Sequence, residues 1–397
     1  MSTKAYAQTG PECVEWLRGR GRSALRRMVE RVSRPGVLSL AGGLPAPELF
    51  PAQAYGEAVQ RVLANDPRAL QYGASYEPLR VRLAALLAER GVVCEPQDIL
   101  LTNGAQQALS IAAGLLLAQG APIVMEEAVY TGALEAVAPY SPRILPVGTD
   151  RRTGLDVDAL EARLVAGERP AFAYVIPEAH NPVGATLSDE KRERLAELAE
   201  RYRMPIIEDD AYGLLVYEGA PGRPIKALAP DWTLLVGSFS KVIAPALRLG
   251  YLVVPPALRQ AAQLFKESSD LECSALTQRA LASLLESGFL PGHLAKLRET
   301  YRARRDAMLA AVEAEFPAGT RFSRPRGGFF VWVELPGDVD TAALLDRALD
   351  EEGVAFVPGS AFSADGRGSR RALRLSFASQ PPEAIAEGVR RLGRLLR

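Results

Sequence analysis

Short apolar runs punctuate the chain from about residue 52 to residue 255, and stretches of helical periodicity separate them. The runs Ile99–Leu101, Pro122–Met125, Ile144–Val147, Ala171–Ile176, Met204–Ile207, Thr233–Val236 and Leu249–Val254 are candidate strands. Gln106–Leu117, Val157–Val165 and Asp189–Tyr202 are candidate helices between them. Continuous apolar runs alternating with helices predict an α/β fold with a seven-stranded, mostly parallel sheet covered on both faces. Upstream, Leu25, Met28, Val29 and Val32 fall on one face of a predicted amphipathic helix, Ser23–Ser33. Val37–Leu40 then enters the turn-rich stretch Ala41-Gly42-Gly43-Leu44-Pro45-Ala46-Pro47.

Past Pro255-Pro256 the pattern turns helical through Arg259–Leu285 and again through His293–Glu315. A strand Gly328–Glu334, a helix Thr341–Glu351, strands Val354–Val357 and Ala372–Phe377 and a closing helix from about Glu383 then predict a small α+β region. The Gly- and Ser-rich loop Ser363–Ser369 is predicted to be mobile. These shifts suggest three parts. Residues 1–50 hold the N-terminal helix and a segment joining the small domain, 51–288 the large domain, and 289–397 the C-terminal small domain.

Composition changes this picture little but removes several functions. The 397 residues carry 47 basic and 47 acidic side chains, so no net charge draws the chain toward nucleic acid or an anionic membrane. No apolar run is long enough to span a bilayer. The opening residues MSTKAYAQTGPECVEW lack the apolar core of an export signal, and the expected location is cytoplasmic. Cys13, Cys94 and Cys273 are widely spaced and form no CxxC pair, so reduced structural thiols are expected. Two histidines, His180 and His293, leave little material for a His-rich zinc site or a Ser-His-Asp triad, and no metal is expected. His180, beside Asn181, is either a pocket residue or a plain loop histidine.

Candidate chemistry gathers where the apolar runs end. Ser238-Phe239-Ser240-Lys241 follows Thr233–Val236, with Arg248 seven residues beyond the lysine. Asn181-Pro182-Val183-Gly184 and Glu208-Asp209-Asp210-Ala211-Tyr212 close two other runs. A lysine for an imine, a carboxylate for a ring nitrogen, and an amide with a phenol for a ring oxygen are what pyridoxal phosphate requires. Asp209 would keep the ring nitrogen protonated; a solvated strand end or a metal carboxylate cluster is the alternative. Thr102-Asn103-Gly104-Ala105-Gln106-Gln107 follows a strand and opens a helix, where the N–H groups of Ala105 and Gln106 can approach a phosphate. Ser238, Ser240 and Arg248 would complete that phosphate site. Tyr130 is placed either to stack on the ring or to pack against its neighbours. Arg374, in the alternating strand Ala372–Phe377, is expected on the face opposite Leu373 and Leu375. There it could clamp an α-carboxylate.

The chain resembles the fold-type I pyridoxal phosphate-dependent aminotransferases of class I/II, closest to the 2-aminoadipate, kynurenine and aromatic aminotransferase branch. The matching pieces are SLAGGLPAPELFP, LQYG, LLTNGAQQAL, EEAVYTGAL, NPVGATLS, IEDDAYGLL, GSFSKVIAPALRLGY, RPRGGFFVWVELP, VAFVPGSAF and LRLSFA, in family order along nearly the whole chain. The resemblance implies that Lys241 carries the cofactor, that Asp209, Tyr212 and Asn181 hold its ring, and that Tyr130 stacks on it. It implies a phosphate site of Gly104, Ala105, Gln106, Ser238, Ser240 and Arg248, and a substrate site that includes Arg374, Asn181 and Gly43. Tyr72 resembles the tyrosine that reaches the neighbouring subunit's cofactor, which implies a homodimer. The Gly42-Gly43-Leu44 stretch and the N-terminal helix resemble mobile elements that cover the substrate. Arg26, on that helix, resembles an arginine that binds a distal carboxylate in some 2-aminoadipate enzymes, although a solvated basic face is the plainer reading of that Arg-rich region.

The departures are Val183 where relatives commonly have threonine, Ala105 where they have serine, and a shortened loop Tyr72–Arg80. The implied reaction is ping-pong transfer of an amino group between an L-amino acid and a 2-oxo acid, with 2-aminoadipate-like, aromatic or broad specificity. A specialised biosynthetic substrate, or a β-lyase or decarboxylase built on the same ring-holding residues, is the alternative. A MocR-type sensor would need a DNA-binding module upstream and is not expected. Gly19-Arg20-Gly21-Arg22-Ser23-Ala24 fits a dinucleotide motif but follows no strand, and is read as chance.

Overall fold

Seven of the apolar runs form one sheet in the computed structural model, which describes residues 13–18, 36–364, 366, 368 and 370–397. The strand order is Ile99–Thr102, Gly250–Val253, Thr233–Ser238, Ile206–Asp209, Ala173–Val175, Pro122–Glu126, Arg143–Val147. From Thr233–Ser238 outward to Arg143–Val147 every neighbour is parallel, whereas Gly250–Val253 runs antiparallel to both strands beside it. The expected α/β architecture is the observed one. Its inner strands are buried on both faces, which is why they read as unbroken apolar runs. Ile207 and Val236 pack on one side with Leu109, Ile111 and Phe172, while Ile206 packs on the other with Leu160, Leu195 and Leu198.

Local chemistry sets the helix ends. Ser188 Oγ accepts from the Lys191 N–H to start Asp189–Tyr202, and Asp156 accepts from the Ala159 N–H to start Val157–Val165. The continuous helical pattern expected over Arg259–Leu285 is two helices, Arg259–Asp270 and Ala275–Glu286. Leu271 adopts a left-handed φ of 65°, and Ser274 Oγ caps the second helix through the Thr277 N–H. Polar residues around this break supply a stop and a restart that apolar spacing alone conceals.

A second, four-stranded antiparallel sheet has the order Arg321–Phe322, Phe330–Glu334, Ala372–Ser376, Val357–Pro358. The single strand expected at Val354–Val357 divides at buried Phe356. Val357–Pro358 joins this sheet, whereas Val354–Ala355 pairs in parallel with Leu38–Ser39. The strand expected from Gly328 begins at Phe330, because Gly328 makes a bend at φ 68°. Helices Phe289–Glu315 and Pro382–Leu395 pack against each other beside the second sheet.

Leu40 ties the N-terminal segment to the C-terminal part: its N–H donates to Ala355 O at 2.8 Å and its carbonyl accepts from the Ser376 N–H at 2.7 Å. The long helix Phe289–Glu315 starts after Gly288. The predicted helix Ser23–Ser33, Arg26, and residues 365, 367 and 369 of the glycine-rich loop lie outside the described residues. No helix among the described residues is long and apolar enough to cross a membrane.

Candidate active site

The parallel strands end on one side of the sheet, and the segments leaving them line a cavity of about 570 Å³. Into it face Ala105, Gln106, Tyr130, Asn181, Asp209, Tyr212, Ser238, Ser240, Lys241, Arg248 and Arg374, together with Gly43 from the N-terminal segment. Residues spread over more than three hundred positions of sequence thus meet in one place. Gly104 stands just behind this wall, and Tyr72 is 90% exposed and lies outside it.

At one end, the turn between Ile99–Thr102 and the helix Ala105–Leu116 has Gly104 at φ 81°, a conformation that disfavours a side chain. A Cβ on Gly250, in the adjoining strand, would meet the Gly104 carbonyl carbon at 2.8 Å, so only glycine lets that strand support the turn. The first N–H groups of the helix have no partner within it by position and face the cavity. Arg248 lies against this turn, its Nη2 donating to Asn103 O at 2.9 Å. Ser238 Oγ accepts from the Ser240 N–H at 3.1 Å. Asp270, the last residue of the helix Arg259–Asp270, accepts from Gln107 Nε2 at 2.6 Å, from Asn103 Nδ2 and from Lys266 Nζ, and so braces the turn from outside.

Deeper in the cavity Asp209 is buried at the end of its strand. Tyr174 donates its O–H to Asp209 Oδ2 at 2.8 Å, while Oδ1 is buried with no hydrogen-bond partner. Burial pushes the Asp209 carboxyl up to about 6, opposed chiefly by the Tyr174 hydrogen bond. Asp210, the next residue, points elsewhere and pairs with Arg90. Tyr212 is buried, and desolvation raises its phenol well above the usual range. Burial likewise pushes the Tyr130 phenol up to about 12.

Lys241 Nζ donates to Gly43 O at 2.8 Å. Removal from bulk water, and then the charge of Arg374, bring its amine down to about 8.

Arg374 is buried in the middle of the second sheet. Its guanidinium carbon lies 4.1 Å from the Phe330 ring centroid and 4.6 Å from that of Phe362. Nη1 donates to Asn181 Oδ1 at 2.8 Å and Nη2 to Ala41 O at 2.6 Å, while Nε is buried without a partner. Desolvation lowers its pKa to about 9. Its strand is buried along its whole length, so the alternation that set Arg374 opposite Leu373 and Leu375 does not separate buried from exposed positions here.

His180 is buried outside the cavity wall, its Nε2 2.9 Å from Glu126 Oε2. The shortened loop also stays outside the cavity of a single chain; Tyr76 N–H donates to Gln278 Oε1 at 2.7 Å. Cys13, Cys94 and Cys273 are free thiols, and no metal-ligating cluster occurs among the described residues. Reading by motif missed Tyr174, Phe330 and Phe362. Tyr174 sits inside an apolar strand and gives no signal alone, whereas the two phenylalanines lie in the matching pieces GGFFVW and VPGSAF without an evident polar task.

The cavity suits a phosphorylated ring cofactor: an orphaned carboxylate oxygen awaits a donor at one end, and helix N–H groups, two serines and an arginine gather at the other. Comparison with known proteins agrees. The profile of the family described as aminotransferase class I and II matches residues 37–392. A 2-aminoadipate transaminase of Thermus thermophilus is 40% identical over 390 residues, covering 96% of each chain. Aromatic-amino-acid aminotransferase 1 of Thermococcus litoralis is 38% identical over 384 residues, covering 94% of this chain and 91% of that one. The crystal structure of Pyrococcus horikoshii kynurenine aminotransferase, in complex with PMP, superposes with a TM-score of 0.91 at 34% identity, covering 95% of both chains. Likeness of this extent, in sequence and in fold, makes the chain a member of the class I and II aminotransferases and a pyridoxal phosphate-dependent enzyme.

Proposed function

We propose that the enzyme moves an amino group between an L-amino acid and a 2-oxo acid in two half-reactions sharing one site, with 2-aminoadipate-like, aromatic or broad specificity. The specificity follows the named activities of the relatives at 38–40% identity. The observation that carries the site assignment is the convergence of Lys241, Arg374 and the orphaned Asp209 Oδ1 on one cavity.

Bound pyridoxal phosphate supplies an aldehyde that captures amines and a ring that delocalises negative charge from the substrate α-carbon. Asp209 Oδ1 would accept from the ring nitrogen, and Tyr212 and the Asn181 amide nitrogen would donate to the ring oxygen. Tyr130 would cover the ring face. The Gly104 turn with Ala105 and Gln106, Ser238, Ser240 and Arg248 would hold the phosphate. Arg374 would exchange its contacts with Asn181 and Ala41 for the substrate α-carboxylate, in a charge-assisted fork. Lys241, easier to deprotonate than an exposed lysine, would carry the cofactor and, as a free amine, accept the proton from the substrate α-carbon. Gly43, whose carbonyl holds Lys241 Nζ, would lie over the substrate.

A homodimer would complete the site. Tyr72 is 90% exposed, with Leu70 nearby in sequence 76% exposed, and Tyr72 of a second copy would reach the phosphate. Arg26 is proposed only as a candidate contact for a distal carboxylate.

The test is a rapid-mixing screen of acidic, aromatic and aliphatic amino acids against the cofactor-loaded enzyme, followed by absorbance. Wild type should convert with acidic or aromatic donors, and Lys241→Ala should lose both the characteristic absorbance and turnover by at least about 10³-fold. Near-native transfer by Lys241→Ala would remove that residue from the scheme.

A further inference from the structure

Tyr174 is a buried phenol outside the cavity lining that bonds to Asp209 within it. Tyr174 lies in the strand Ala173–Val175, directly opposite Ile207 in the parallel register. Asp209 is two residues beyond Ile207 and therefore projects on the same face of the sheet. That register brings the phenol to Asp209 Oδ2 at 2.8 Å, with Tyr174 itself only 2% exposed. The other oxygen, Oδ1, is left buried without a partner.

We infer that Tyr174 is a positioning residue for the reaction: its O–H holds Asp209 in its anionic form with Oδ1 free, and so decides on which side of the contact between Asp209 and the cofactor's ring nitrogen the shared proton rests. The inference rests on the proposed role of Asp209.

The physical argument is a competition for one proton. The ring nitrogen and Oδ1 share it, and it sits either on nitrogen beside a carboxylate or on Oδ1 beside a neutral ring. A donor on Oδ2 stabilises the carboxylate but does little for the neutral acid, so it favours the proton on nitrogen. Desolvation and the charge of Asp210 push the other way, while Lys241 and the Ala211 N–H support the anion. Within the strands flanking Asp209, the phenol is the side-chain hydrogen bond that opposes burial. Loss of one hydrogen bond to a buried charge shifts such an equilibrium by roughly ten- to hundredfold. A protonated ring is the stronger electron sink, so the same loss slows proton removal from the substrate α-carbon.

The experiment compares wild type, Tyr174→Phe and Asp209→Asn, each full-length and reconstituted with pyridoxal phosphate labelled with ¹⁵N in the ring. The readouts are the ring-nitrogen chemical shift, kcat and KM. Wild type should show a pyridinium-type shift. Tyr174→Phe should move it toward neutral pyridine and lower kcat by roughly tenfold or more, with KM for the amino donor within about twofold. Asp209→Asn should move it further. A wild-type shift and kcat in Tyr174→Phe would overturn the inference while leaving the Asp209 reading intact. An unmoved shift in Asp209→Asn would overturn the Asp209 reading itself. If Tyr174→Phe fails to fold, 3-fluorotyrosine at position 174 preserves the shape and donates more strongly. It should move the shift further toward pyridinium, and no change or movement the other way would refute the idea. A purely structural role would change thermal stability and leave the ring nitrogen as it was.

Discussion

Asp209 and Arg374 are both buried charges facing one cavity, yet the protein holds them by opposite means. Asp209 stands at the end of a central parallel strand, steadied by one phenol, with an oxygen left over. Arg374 belongs to the second sheet and rests between two aromatic faces, its two terminal nitrogens occupied by neutral acceptors. Desolvation moves each toward its neutral form, Asp209 up to about 6 and Arg374 down to about 9. The difference lies in what each is prepared to receive. Asp209 has one oxygen without a partner, which on the proposed roles would bond the cofactor ring, whereas Arg374 would give up its bonds to Asn181 and Ala41 for the substrate carboxylate.

Arg374→Leu should give the largest effect. Steady-state kinetics should show kcat/KM for the amino donor lower by about 10³-fold, with the cofactor absorbance retained. An unchanged KM would break the comparison by removing Arg374 from substrate binding.

Asp209 should show its burial in the cofactor-free protein. A folded pKa of about 6 lies above that of the unfolded chain, so its contribution is fully present below the unfolded value and is lost as pH rises through about 6. Asp209→Asn escapes this loss. Its advantage in unfolding free energy over wild type, measured by denaturant titration, should grow between about pH 4 and pH 7, to as much as about 3 kcal/mol. Glu208, also pushed up by burial, to about 7, is common to both proteins and cancels in the difference. A constant difference across that range would mean that Asp209 is not desolvated in this way.

The smallest effect belongs to the aromatic clamp. Phe362→Leu keeps an apolar wall but removes one ring face from the guanidinium, a loss of about 1 kcal/mol or somewhat more. KM for the amino donor should rise roughly fivefold with kcat nearly constant. A fall in kcat at constant KM would assign Phe362 to a different part of the reaction.

These two groups were unequally legible in the sequence, for a physical reason. Lys241, Asp209 and Asn181 each follow an apolar run, and in a parallel sheet the residues leaving such runs gather at one edge. Arg374 showed as a polar residue in a strand, but its neighbours Phe330, Phe362, Asn181 and Ala41 come from other segments of the chain. Tyr174 and Phe362 were invisible as chemistry. One is brought to Asp209 by the pairing of two strands, and the other to Arg374 by the packing of the second sheet. The break at Leu271 and the division at Phe356 escaped for a related reason, since periodicity records which residues are apolar but not where the backbone changes partner.

One tripeptide, Ala41-Gly42-Gly43, offers its first carbonyl to Arg374 and its last to Lys241. Each acceptor loses its donor whenever its cation is engaged elsewhere, and an unpaired carbonyl is costly at buried Ala41, less so at partly exposed Gly43. On the proposed roles of the two cations, both bonds would be given up together, and the tripeptide would then shift or admit solvent.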